Sequence, residues 1–237
     1  MPASPPRWPG ALAASGGSPP APAPQQAPSL PSPNHPPMAA DHYFSQHPTA
    51  PGEPRTFTAT LRGHTVTLTT EPAVFSRTRV DRGSRLLIKH MEVGEEDRFL
   101  DLGCGYGAVG IVAALLAPTA QVTLVDINLR AVGLARANLR ANGIQNAESL
   151  HGDGFAPLAG RTFDTIAFNP PIRAGLAVVH RLIEESPGYL APDGRFYLVA
   201  RTKQGAVRLA EKMSLTFGAA EEVAKGGGYR LYLSHRP

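Results

Sequence analysis

The sequence predicts an α/β fold with a mostly parallel sheet, and three observations support that prediction. Residues 98–110 read R-F-L-D-L-G-C-G-Y-G-A-V-G, an apolar strand end that runs into glycines and then into an apolar helical stretch. Short apolar runs at 122–125 and 163–168 alternate with helical patterns, as they do where crossover helices join parallel strands. Asp126 closes the 122–125 run, about twenty residues after the glycines, where a Rossmann-like fold reads ribose hydroxyls.

The glycine loop comes first because it is built to let a ligand touch the backbone. Gly103, Gly105 and Gly107 permit positive φ and leave no Cβ between main chain and ligand. The spacing fits a dinucleotide fingerprint twice, as Gly103-x-Gly105-x-x-Ala108 and as Gly105-x-Gly107-x-x-Gly110. Glycines alone therefore do not separate a nicotinamide enzyme from other Rossmann-like ones. Asp101 does, because a pyrophosphate over this loop would face its carboxylate in a shielded pocket. S-adenosylmethionine has no phosphate and carries an ammonium and a sulfonium, so an acid beside the loop favours it. The alternative is that Asp101 only caps the turn.

The 237 residues, 42% of them hydrophobic and 18% charged, suit one α/β domain with an appendage and exclude a fibre, a coiled coil or a wholly disordered chain. No apolar run approaches the eighteen or so residues of a membrane helix, and the first residues lack the pattern of a secretory signal. Cys104 is the only cysteine, so no intrachain disulfide forms and a reducing cytoplasm is the expected location. The formal net charge of +4 is compatible with an RNA partner and too small to demand one.

Residues 1–41 hold more than half of the 24 prolines and few large apolar side chains, so they are expected to form a disordered tail. Met38 is followed at once by A-A-D-H-Y-F-S-Q-H-P, which leaves two readings, a translation start at Met38 or a flexible arm before it. Residues 42–237 are expected to form a single domain. Within it, 55–61 and 65–70 are β-branched and aromatic runs joined through 62–64, which predicts a hairpin cap over about 55–70. Ser84 is placed to cap a short helix carrying Leu86, Leu87 and Ile88. After Asp126, Asn128 is placed to cap a helix over 129–141 with Leu129, Val132, Ala135 and Leu139 inward, Arg130, Arg136 and Arg140 outward, and Asn142-Gly143 as its stop. A weak strand near 148–150 leads to Asp153, set between two glycines, which either accepts from an adenine amine or serves the turn. His64, His180 and the other histidines have no partner at ligand spacing, so no metal is expected.

The 163–168 strand ends in Asn169-Pro170-Pro171-Ile172. Two prolines stop the strand and fix the direction of its last carbonyls, at the sheet edge where α/β folds bind ligands. An exocyclic amine is a poor nucleophile because its lone pair is delocalised into the ring. If the Asn169 amide oxygen and the Pro170 carbonyl accept its two N–H bonds, the nitrogen turns tetrahedral and its lone pair is aimed at the methyl donor, so catalysis is positioning and desolvation. Arg173, Arg201 and Lys203 follow strands whose carboxyl ends face the same edge and suit a phosphate backbone, with Arg77 and Arg79 as additions; the alternative is that they are scattered surface cations.

D-L-G-C-G-Y-G, the acid at 126 and N-P-P-I together resemble class I S-adenosylmethionine-dependent methyltransferases and their amine-methylating branch. H-Y-F-S-Q-H-P at 42–48, V-F-S-R-T-R-V-D-R-G-S at 74–84, N-P-P-I-R-A-G at 169–175 and T-K-Q-G-A at 202–206 resemble, in order, the methyltransferase small domain family, which includes guanine-N2 methyltransferases of small-subunit ribosomal RNA. The resemblance covers the chain from His42 onward. It implies that Asp101, Gly103, Gly105, Gly107, Asp126 and Asp153 hold S-adenosyl-L-methionine, and that Asn169 and Pro170 orient the amine. Pro171, Ile172, Arg173, Arg201 and Lys203 would meet the substrate. It also implies structured RNA, ribosomal RNA or the small subunit, as partner, and neither membrane nor metal. Position 172 is Ile where relatives show an aromatic, so a stacking contact is missing there; Phe75 and Tyr106 are the substitutes at hand.

The remaining pattern completes a seven-stranded sheet whose last strand is antiparallel. An amphipathic helix at 176–185, a turn at Pro192-Asp193-Gly194, a fifth strand at 195–200, a helix at 206–217 and a closing pair at 222–224 and 229–233 follow in order. The function read from the sequence is methyl transfer to an exocyclic amine of RNA, with guanine N2 as the implied target. Three rivals stand beside it. A protein glutamine N-methyltransferase would favour an aromatic at 172, an NAD-dependent oxidoreductase is disfavoured by Asp101 and Asn169-Pro170-Pro171, and a non-catalytic RNA-binding module would not need Asn169.

Overall fold

A computed structural model describes residues 53–71, 79–170, 172 and 175–236. The expectations for the tail at 1–41, Phe75, Arg77, Pro171 and Arg173 lie outside the described residues.

Strands β1 (Arg55–Leu61) and β2 (His64–Thr70) form a separate antiparallel hairpin in which Leu61 pairs with His64. The two-residue loop between them, Arg62-Gly63, has φ of 46° and 85°, the twist that flanking strands require of a tight hairpin turn. Ala59, Leu61, Val66 and Leu68 alternate inward and are buried, as is Thr70, while the other threonines of the two strands occupy the outer face, as a half-buried ribbon demands.

The main sheet has seven strands: β3 (Arg98–Leu102), β4 (Gln121–Asp126), β5 (Ala147–His151), β6 (Phe163–Phe168), β7 (Leu190–Arg201), β8 (Glu221–Gly226) and β9 (Tyr229–His235), in the spatial order β5-β4-β3-β6-β7-β9-β8. Parallel pairing runs from β5 to β7, and β9 pairs antiparallel with both β7 and β8. The chain winds outward from β3 to one side, then crosses back to β6 on the other. The switch point between β3 and β6 places residue 103 beside residue 169, because Leu102 pairs with Phe168. Ligands bind at such a crevice.

Helices cover both faces. On one, α1 (Arg82–His90), α2 (Ala108–Leu116) and α3 (Leu129–Ala141) share a core with the hairpin, including Leu87, Ile111, Val112, Leu124, Ala135 and Leu231. On the other, α4 (Leu176–Glu185) and α5 (Ala206–Phe217) bury Val179, Ile183, Leu209 and Met213 against Leu100, Ile166 and Phe196. Gly110 allows α2 to lie against β4, since a Cβ there would meet Leu124 at 2.6 Å.

Four local expectations are corrected. The cap of α1 is Asp81, whose carboxylate accepts from the Gly83 and Ser84 amides; Ser84 lies inside the first turn. Pro192-Asp193-Gly194 is part of β7, with Asp193 at a φ of 59° marking an irregularity in the strand. Leu129 is 42% exposed, because the apolar face of α3 starts one turn later. Finally, β2 begins at His64, which the tight loop brings into the ladder.

Candidate functional site

Three loops meet at the carboxyl edge of β3, β4 and β6. The glycine loop leaves β3 with Gly103, Gly105 and Gly107 at φ of 68°, 58° and 91°, a left-handed conformation that side-chain-bearing residues adopt only at a cost. Around Gly103 the nearest atom to a Cβ would be on the Phe168 ring at 3.9 Å, so the loop leaves space beside β6.

Two carboxylates hold this loop from beneath. Asp101, 3% exposed, accepts the Gly110 N–H of α2 at 2.8 Å. Asp126, also 3% exposed, accepts the Gly105 N–H at 2.8 Å through one oxygen and the Asn128 N–H at 2.8 Å through the other. Asn128 caps α3 by accepting from the Arg130 and Ala131 amides, so Asp126 is not the cap; it ties the glycine loop to the β4–α3 loop. Burial pushes the Asp101 carboxyl up to about 7 and the Asp126 charge adds to that, against the pull of the Gly110 N–H. Burial also pushes the Cys104 thiol up. Two buried acids beneath a glycine loop are stabilised by positive charge nearby, and S-adenosylmethionine supplies it without a phosphate. The residues present therefore fit that cofactor.

Asp153, beyond β5, is half exposed and is held by Arg181 of α4 at 2.8 Å, which also bonds Glu185. It stands at the same sheet edge, and the arginine fixes its direction.

Asn169 leaves β6 on the face covered by α1. Its amide nitrogen donates to the Ser84 hydroxyl at 3.0 Å and to the Asp81 carboxylate at 3.5 Å. The amide oxygen is thereby the end left to accept a hydrogen bond. The Pro170 carbonyl accepts the Ile172 N–H at 2.9 Å in a tight turn, and a second lone pair remains on that oxygen. Ile172 is half-buried and packs against the α4–α5 core.

Tyr106 is not a substitute for the missing aromatic. Its ring is buried and meets Phe57 of the hairpin edge-on at 6.4 Å. Tyr229, which the sequence marks only as the start of the last strand, pairs with Arg201 at the carboxyl end of β7. It lies on Gly83, where a Cβ would come within 2.9 Å of the ring, and Arg201 sits above it, 5.4 Å from the centroid, donating to its hydroxyl at 3.1 Å. Lys203 is exposed in the short turn after β7. Among the described residues no cluster of His, Cys, Asp and Glu is arranged to hold a metal, and no helix is long and apolar enough to cross a membrane.

Residues 65–233 match the model of the methyltransferase small domain. The chain belongs to that family. Family membership makes it an S-adenosylmethionine-dependent methyltransferase. Among its relatives is the Bacillus subtilis uncharacterized protein YbxB, 38% identical over 194 residues and matched over 81% of this chain and 96% of that one. Ribosomal RNA small subunit methyltransferase C of Pseudomonas paraeruginosa is 34% identical over 170 residues, 70% of this chain and 50% of that one. The solved T. thermophilus 16S rRNA N2 G1207 methyltransferase, RsmC, in complex with AdoMet and guanosine, superposes with a TM-score of 0.71 at 30% identity over 79% of this chain and 52% of that one. The chain thus spans about half the length of the methyltransferase C relatives it matches.

Proposed function

We propose that this methyltransferase modifies an exocyclic amine of RNA, with guanine N2 of small-subunit ribosomal RNA as its target. The observation that carries the proposal is the anchoring of Asn169: with its nitrogen committed to Ser84 and Asp81, it offers an oxygen at the switch-point crevice. S-adenosylmethionine, when bound, supplies an electrophilic methyl on a sulfonium. The protein's part is to place the amine. Asn169 Oδ1 and the Pro170 carbonyl accept its two N–H bonds, which localises the lone pair, and once the nitrogen carries the methyl one of those two protons is released to solvent. Asp101, Asp126, Asp153 and the three glycines hold the cofactor. Arg201 and Lys203 steer the phosphate backbone. The sequence relatives named for ribosomal RNA methylation support this target class.

Purified protein with methyl-labelled S-adenosylmethionine should label unmodified 16S rRNA or small subunits, and nucleoside mass spectrometry should find N2-methylguanosine. Label confined to protein, release factors included, would move the assignment to glutamine methylation.

A further inference from the structure

We infer that Asp81 and Ser84 are positioning residues for methyl transfer, acting through Asn169; the inference rests on the reading that Asn169 receives the acceptor amine. A carboxamide is a nearly symmetric two-ended rotor, and its oxygen and nitrogen ends differ little in shape. Presented the wrong way round, Asn169 would set N–H donors against the N–H bonds of the amine. Something must break the symmetry.

A hydroxyl alone does not break it, because Ser84 Oγ can accept from an amide nitrogen or donate to an amide oxygen with equal ease. Asp81 does break it. Its carboxylate is an acceptor only, and the oxygen that faces Asn169 already takes the Gly83 amide at 2.8 Å and the Ser84 amide at 3.1 Å. An amide oxygen turned towards that crowded oxygen would be repelled, while the amide nitrogen is accepted at 3.5 Å. Ser84, 8% exposed and 3.0 Å away, then fixes the rotation about the side chain. The arrangement is packed into place. Gly83 has no Cβ, and the Tyr229 ring closes on it within 2.9 Å of where one would be, covering the first turn of α1. The cap of one helix thereby sets the direction of a side chain at the end of a strand 88 residues on.

The test compares Asp81→Ser, which keeps a side-chain cap for α1 but is too short to reach Asn169, with Ser84→Ala, Asn169→Ala and the pairwise combinations. The expected result is a kcat on unmodified 16S rRNA lower by about ten- to hundredfold for each single variant, with S-adenosylmethionine affinity unchanged and a melting temperature lowered by at most a few degrees. The combinations with Asn169→Ala should be no slower than Asn169→Ala alone. Asp81→Asn and Ser84→Thr, which keep an acceptor in each place, should recover most of the rate. Independently of turnover, the Asn169 side-chain NH2 signal in NMR should lose its protection from exchange in Ser84→Ala. If Asn169→Ala abolishes transfer while Asp81→Ser and Ser84→Ala keep wild-type kcat and exchange protection, the inference is overturned and the reading of Asn169 stands. Rate losses that multiply with Asn169→Ala also overturn it. Should Asn169→Ala itself keep full kcat, the reading beneath it fails instead. If Asp81→Ser does not fold, Ser84→Ala and its NMR signal decide the matter.

Discussion

Asp101 sits beneath the glycine loop with burial holding its carboxyl up to about 7. In the unfolded chain the same group loses its proton near 3.8. Its contribution to stability is therefore complete below that value, where both states are protonated, and is lost as pH rises towards 7, because the unfolded state releases the proton first. Cofactor binding has the opposite dependence. A sulfonium and an ammonium favour the ionised carboxylate, so binding at pH 6 must expel a proton that at pH 8 is already gone. Affinity for S-adenosylmethionine should be about tenfold weaker at pH 6 than at pH 8, with proton release visible in calorimetry across buffers of different ionisation enthalpy. Asp101→Asn should remove that slope, and an unchanged slope in the variant would place the titrating group elsewhere. The acid itself was legible in the sequence because it adjoins the glycines. Asp81 as the partner of Asn169 was not, since a contact across 88 residues leaves no local spacing to read. Tyr106 misled for the converse reason: an aromatic beside a ligand loop looks the same whether it faces ligand or core, and Phe57 across from it settles which.

The hairpin owes its place to helix α3. Asn142 accepts the Thr67 N–H at 2.9 Å and donates to the Thr67 carbonyl at 2.8 Å, and Asn138 does the same for Thr69 at 2.7 and 2.9 Å. Each carboxamide thus imitates a peptide group of a neighbouring strand. The match works because four helical residues rise about 6 Å and two strand residues about 6.8 Å, so residues i and i+4 of a helix keep step with i and i+2 of β2. Two strands alone are marginal in water, and this ladder gives the ribbon its third row. Asn138, 1% exposed, also donates to the Tyr106 carbonyl at 2.9 Å, which joins the hairpin to the glycine loop. Asn142→Ala should cost about 1–3 kcal/mol in urea unfolding, and Asn138→Ala should cost more, because it strands a second buried acceptor. Hydrogen exchange should show the Thr67 and Thr69 amides deprotected in the respective variants; retained protection would mean that apolar packing alone seats the hairpin. The two hairpin strands were legible as β-branched and aromatic runs, and α4 and α5 as helices, each within a residue of its ends, whereas β7 begins five residues before the run that marks it. The asparagine ladder was not, because periodicity follows apolar side chains and Asn138 counts there as polar noise.

Across the whole molecule the cations differ in how they are paired. At the amino edge of the sheet, cations are neutralised: Arg98 pairs with Asp164 at 2.9 Å, and Arg195 with Asp97 at 2.5 Å and Glu92 at 3.3 Å. At the carboxyl edge, Arg82, Arg201 and Lys203 are exposed and take part in none of the ion pairs among the described residues. The net charge of +4 is small for a chain of this length; Arg82, Arg201 and Lys203 are the cations that, on the proposed function, an approaching polyanion would meet. Phosphate contacts of this kind act through counterion release, so RNA affinity should fall linearly with salt on logarithmic axes. Replacing Arg201 or Lys203 by Gln should weaken RNA binding across sequences and reduce the slope by about 0.7–0.9 each, with S-adenosylmethionine affinity intact. The two variants separate the roles further. Arg201 also lies over the Tyr229 ring, so Arg201→Gln should additionally lower kcat by loosening that ring against Gly83, whereas Lys203→Gln should change binding alone. A salt slope that neither substitution moves would put the RNA on another face and leave Asn169 without a delivered substrate.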